Sequence, residues 1–119
     1  MVRFMMQQYE PHKVYFLSHG LDSDLSDEFM ERFKGNEPLV KKLSQSLKSG
    51  RHDLIDKETG FVGAQIAVLE VKWINDNEVE IGGLWEAWDK GSSVRANKYR
   101  MTKENGEWAI KGYENIVVF

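Results

Sequence analysis

The side chains best suited to chemistry in this sequence fall in three places. His52, Asp53, Asp56 and Glu58 put one imidazole and three carboxylates into a short polar stretch. Such a group could hold a divalent cation or act as an acid–base pair, because imidazole titrates near neutral pH and a carboxylate can orient it. The spacing matches neither His-Glu-x-x-His nor the EF-hand loop. Asp, Lys, Glu, Thr and Gly are also what turns are made of, so an exposed turn accounts for the same residues and no metal site is expected. His12 and His19 flank the segment Val14–Ser18, with Asp22 and Asp24 close behind. His19 with Asp22 would make a general base and its orienter, whereas capping of a following helix would use the same carboxylates structurally. There is no nucleophile elbow, P-loop or dinucleotide fingerprint. No cofactor is expected.

Aromatic residues form the third set. Trp73, Trp85, Trp88, Tyr99 and Tyr113 could line an apolar ligand pocket and offer indole and phenol groups as polar handles. Trp85 and Trp88 stand three apart, and residues three apart in an extended strand point to opposite faces. One of the two is then expected to be exposed in a monomer, next to Leu84, and to mark a subunit contact.

Groups of these kinds need a scaffold, and the composition allows one. The 119 residues suit a single domain over 1–119, and 41% hydrophobic with 12% aromatic is enough for a core. With no cysteine, a disulfide scaffold, a thiolate metal site and a thiol nucleophile are excluded. The net charge of −3, from 16 basic and 19 acidic residues, is spread along the chain. No basic stripe marks a nucleic-acid partner. The first residues lack the organisation of a signal peptide and no apolar run approaches a membrane span, so a cytoplasmic protein is expected.

Val14–Ser18, between Pro11 and Gly20, predicts a strand. Leu25, Phe29 and Phe33 recur at i, i+4, i+8, and Gly35 follows, which predicts a helix over 24–34 docking that stripe on a sheet. Leu39, Val40, Leu43 and Leu47 predict a short second helix or a helical turn, and 49–60 reads as the main loop. From Phe61 the period becomes two. Gln65–Ile74 predicts a central strand turned by Asn75–Asn77, and Glu78–Ile81 a second with Val79 and Ile81 inward. Gly82-Gly83 suggests a bulge or bend before Leu84–Trp88. Asn105-Gly106 predicts a type I′ hairpin that sets Lys103 against Trp108 and Met101 against Ile110, so that Tyr99, Met101, Trp108 and Ile110 share the core face. Asn115–Phe119 predicts a last strand. The fold class is α+β, with an N-terminal strand and one or two helices packed on a curved antiparallel sheet that ends as a meander.

The strings VYFLS (14–18), SDEFMERF (26–33), PLVKKLSQS (38–46), DKETG (56–60), VKWINDNEVEIGG (71–83) and YRMTKENGEW (99–108) resemble, in order and spacing, a family of small bacterial proteins without an assigned function. A gene carried on a mobile integron cassette would be compatible with that source. LWEAWDKGSS (84–93) departs from the Gly- and Tyr-rich pattern of that family. The C-terminal half is more distantly similar to the nuclear-transport-factor-2-like or cystatin-like cone domains, in which a curved sheet wraps helices around a pocket. The function expected is an oligomeric binding or interaction module, a homodimer or tetramer holding a small apolar ligand or a partner protein. The alternative is a cofactor-free isomerase, cyclase or dehydratase with His19 or His52 as base and Asp22 or Asp53 as orienter.

Overall fold

The first strand is the element around which the others assemble. The computed structural model describes residues 1–49, 53–88 and 93–116. Strand β1 (Val14–His19) is buried from Val14 to Ser18, as its unbroken β-branched and aromatic run requires of a strand covered on both faces. On one side it pairs in parallel with β6 (Val62–Asn75), Tyr15 to Ala64 through His19 to Val68. On the other it pairs in parallel with β3 (Leu39–Lys42) and, near its end, antiparallel with β2 (Ser23–Asp24).

β6 then opens an antiparallel meander with β7 (Glu78–Ala87), β8 (Ser93–Glu104) and β9 (Glu107–Ile116). A small hairpin of β4 (Ser46–Ser49) and β5 (Asp53–Asp56) joins β6 at Val62 and Gly63. The result is a mostly-sheet α+β fold with nine strands, among the described residues, in one open mixed sheet. The antiparallel sheet expected from the sequence is thus confined to the meander and the small hairpins.

The two faces of the sheet are built differently. The helix face carries Tyr15, Leu17, Ala64, Ile66, Trp85, Ala87 and Tyr99, packed under α1 (Val2–Gln8) through Val2 and Met5. Helix α2 (Asp27–Glu31) and the residues flanking it cover the same face through Phe29 and Met30 on the helix and Leu25 and Phe33 beside it. On the opposite face Val14 and Phe16 pack with Leu54, Leu39 and Leu43. Gly63 is required there, because a Cβ would lie 2.6 Å from the Val14 carbonyl oxygen and 2.8 Å from the Phe16 ring.

Several expectations are corrected. The helix over 24–34 is regular only over five residues, begun by Ser26, whose Oγ accepts from Phe29 N at 3.2 Å. Asp24 instead belongs to β2 and accepts from Ser44 N. The chain continues past Glu31 through three-residue hydrogen bonds to Gly35 at φ +72°. Over 39–47 the helical expectation holds only for a single 3-10 turn at Leu43–Gln45, while Leu39–Lys42 is β3. Leu39 packs on the opposite face and Val40 on the helix face, so the adjacent apolar pair serves two layers. Only a strand can do that, and the open edge of β1 supplies its partner. The expected loop 49–60 contains β5. Helix α1 has no side-chain cap and no sequence signal announced it; packing of Val2 and Met5 holds it in place.

The C-terminal hairpin forms in the expected register, with Asn105 at φ +53° and Gly106 at +79°. The last strand is continuous with it as part of β9, and residues 117–119 lie outside the described residues. Since Phe33 is buried and Phe29 is half exposed, Phe33→Ala should cost about 3–5 kcal/mol in chemical denaturation. Phe29→Ala should cost less than half as much. Equal losses would contradict the packing of α2.

Candidate functional site

β6 is 14 residues long and β1 only six. Pairing between them ends at His19 and Val68, so Leu69–Asn75 runs on with β7 as its sole described neighbour. The distal half of the meander therefore projects past both helices. What its helix face carries is decided by one residue. Alternation from Ala64, Ile66 and Val68 would next bring Glu70 and Lys72 to that face. Instead Val68 pairs with Gly83 and Glu70 with Gly82, leaving Leu69 as an extra residue on β6. The bulge resets the alternation, and Val71 and Trp73 join the helix face opposite Ile81 and Val79. Gly82-Gly83 thus faces the expected irregularity while β7 itself stays regular. Gly83 has a second use: a Cβ there would lie 2.7 Å from Met1 Sδ and 3.0 Å from Met5 Sδ, so its bare backbone is the seat of α1.

These arrangements leave an apolar cleft of about 390 Å³ between the helices and the distal sheet. Its sheet wall is Val68, Val71, Trp73, Val79, Ile81, Met101 and Trp108; its helix wall includes Phe29 and Phe33. Trp73 and Trp108 meet edge to face at 5.7 Å and are 62% and 38% exposed. Two guanidinium groups stand at the helix side. Arg3 stacks over Phe33 at 4.6 Å and donates to Asn36 Oδ1 and the Arg32 carbonyl, both at 2.8 Å. Arg32 lies over Phe29 at 5.4 Å. Neither is paired with a carboxylate among the described residues, and no His, Asp or Glu lines the cleft. The other face of the distal sheet is charged, with Glu80, Lys98, Arg100 and Glu114 around a polar hollow.

The aromatic residues singled out in the sequence part company here. Trp73 is on the cleft. Trp85 is 2% exposed in the core, with the Tyr9 ring tilted against it at 5.3 Å and the His12 ring edge-on at 5.8 Å; it is not available for a subunit contact. Trp88 lies on the opposite face, as the spacing required, half-buried beside Gln65, Glu86 and Leu54, and donates to Glu86 Oε1. Tyr99 is core. Asn97 Nδ2 donates to Tyr99 Oη at 2.9 Å and to Tyr9 Oη, and Tyr99 donates to Gln8 Oε1, so this network fastens the end of α1 to β8. Tyr113 is exposed at the rim, against Phe4 and Tyr99. Trp108, expected in the core, lies on the expected face but beyond the helices, where the face is uncovered. Arg3, Arg32 and Met101 are cleft residues that sequence reasoning did not single out for a site. The length difference between β1 and β6 was the available signal.

The polar candidates are not brought together. His19 and Asp22 are both exposed. His52 lies outside the described residues, and Asp53 is known only as a backbone position of β5. Asp56 and Glu58 share Lys41, whose Nζ is 2.9 and 3.0 Å from their carboxylates. Asp56 also accepts from Thr59 Oγ1 at 2.7 Å and from Glu58 N. It is the anchor of the turn into β6, and among the described residues no three His, Asp or Glu side chains are placed to hold a metal.

Burial opposes the charge on Asp56, but the hydrogen bonds from Thr59, Lys41 and Glu58 N outweigh it and hold the carboxyl below the usual range. Its contribution is complete above about pH 4 and lost as pH falls further. Asp56→Ala should therefore cost about 3 kcal/mol at pH 7, and the gap to wild type should narrow in acid. Tyr99 behaves oppositely: burial pushes its hydroxyl up to about 12, against the Asn97 hydrogen bond. An unfolded chain loses that proton near pH 10, so stability should decline between about pH 10 and 12. Tyr99→Phe should remove that part of the alkaline decline in a denaturation series; an unchanged slope would contradict the burial of the hydroxyl.

The chain matches no known family model, no curated protein and no solved structure. No helix among the described residues is long and apolar enough to cross a membrane.

Proposed function

We propose that this protein is a binding module, working as a homo-oligomer, whose cleft takes a small molecule with an apolar body and an anionic end. The observation that carries the reading is the cleft itself. A volume of about 390 Å³ falls within the ordinary range for small-molecule sites, and its walls are apolar and aromatic with Arg3 and Arg32 as their charged side chains among the described residues. Both side chains are positive, and among the described residues neither is neutralised by a carboxylate. Exposed guanidinium groups beside an apolar wall favour a carboxylate or a similar anion, because a charge-assisted hydrogen bond at the mouth adds to burial of the ligand's apolar body.

The cone-type architecture belongs with this reading, since such a domain also holds its ligand between helices and sheet. It is supported by the two helices sharing one face and by α1 preceding β1. The enzyme alternative has less support: an acid–base mechanism needs an imidazole beside a carboxylate inside the apolar site. His19 and Asp22 lie at the surface, and among the described residues the cleft wall supplies neither group.

Decanoate titrated into the protein should quench or shift the Trp73 and Trp108 fluorescence and give saturable heat in calorimetry. Decan-1-ol should bind about tenfold more weakly than decanoate, as should decanoate to Arg32→Gln, each corresponding to roughly 1.4 kcal/mol. Trp73→Ala should weaken both ligands. Equal affinity for acid and alcohol would remove the arginines from the reading, and absence of saturable binding would remove the cleft.

A further inference from the structure

The outer edge of β9 has no strand paired to it among the described residues. It is a ten-residue edge that exposes Trp108, Tyr113 and Ile116. Long edges of this kind are sites of strand addition unless they are blunted. We infer that β9 joins two copies of this chain by antiparallel pairing about a two-fold axis at Ala109.

The register follows from the hairpin. Residues flanking a two-residue turn exchange hydrogen bonds, so Glu104 and Glu107 turn their amide and carbonyl groups toward each other. Alternation then turns those of Ala109 toward β8 and those of Trp108 and Ile110 outward. A second copy can pair Trp108 with Trp108, Ile110 with Ile110, or Trp108 with Ile110. The first sets Glu107 against Ala109, and the second sets Lys111 against Ala109. The third sets Glu107 against Lys111 of the second copy, twice by symmetry, on the charged face of the sheet. The same register places Trp108 against Ile110 of the second copy on the apolar face, beside Trp73. Opposite charges and an aromatic–aliphatic pair directly across a ladder are both favourable. Lys111 lies 2.5 Å from Glu104 of its own chain, so in the pair it would sit between two carboxylates.

β9 also shows where the pairing stops. Arg100 pairs with Gly112 and Met101 with Ile110, which leaves Lys111 as an extra residue and bends the edge there. The ladder is thereby limited to Glu107–Lys111, and an isologous contact closes as a dimer instead of propagating. The pairing is independent of what the cleft binds.

Sedimentation equilibrium of the full chain at up to roughly 100 µM tests the assignment, with circular dichroism to verify that each variant is folded; a short ladder implies a weak dimer. Wild type should dimerise. Glu107→Lys and Lys111→Glu should each raise the dissociation constant by about tenfold or more, and the double reversal E107K/K111E should return it to within about threefold of wild type. A monomeric wild type overturns the proposal. So does a dimer that survives both single reversals, which would place the contact elsewhere, as on the open edge of β6 beyond Val68. A double reversal that stays monomeric also overturns it.

Discussion

The parallel pairing of β1 with β6, and the point at which it stops, sets the layout of the molecule. Val14, Tyr15, Phe16 and Leu17 are almost wholly excluded from solvent, because β1 has strands on both edges and packed side chains on both faces. Each of these four residues contributes on the order of 2 kcal/mol by burial. β1 ends at His19, and no described strand takes its place along β6. One sheet is thereby divided into a proximal half with a core on its helix face and a distal half whose apolar face is open.

Two local irregularities make that open face useful. The extra residue Leu69 sends Glu70 and Lys72 away from the helices and brings Val71 and Trp73 toward them, turning an unsorted sequence into an apolar wall backed by charges. The bare backbone of Gly83 lets Met1 and Met5 settle on the sheet, which draws α1 close and sets Arg3 beside Phe33. The Tyr9–Asn97–Tyr99–Gln8 network then holds the far end of the same helix. Position and charge at the cleft are thus consequences of how one short, uncapped helix is fastened.

The meander and its hairpin were legible because their signals are local: alternation, a turn pair at Asn105-Gly106, and β-branched content. β3, β4 and β5 were not, because each is only four residues long and depends on distant edges for its hydrogen bonds. Leu39 and Val40 look like part of a helical stripe until β1 is there to separate them onto two faces. The site was partly legible for a related reason. Alternation correctly placed Tyr99, Met101, Trp108 and Ile110 on one face, yet the period of a strand cannot report whether a helix covers it. Tyr99 is under Phe4 and the end of α1; Trp108 is two turns of pleat further out and 38% exposed. The catalytic candidates differ again: closeness of His19 and Asp22 in sequence does not give a shared pocket, because His19 ends β1 and Asp22 follows it in the connection, both exposed.

The central claim is that the distal helix face is a ligand site because β1 leaves it uncovered. Methyl-resolved heteronuclear NMR with decanoate tests it most directly. The account predicts saturable shifts confined to Val68, Val71, Val79, Ile81 and Met101, with Val14, Leu17 and Leu54 unmoved. Shifts centred on Leu54 and the opposite face, or no shift at any methyl, would contradict it.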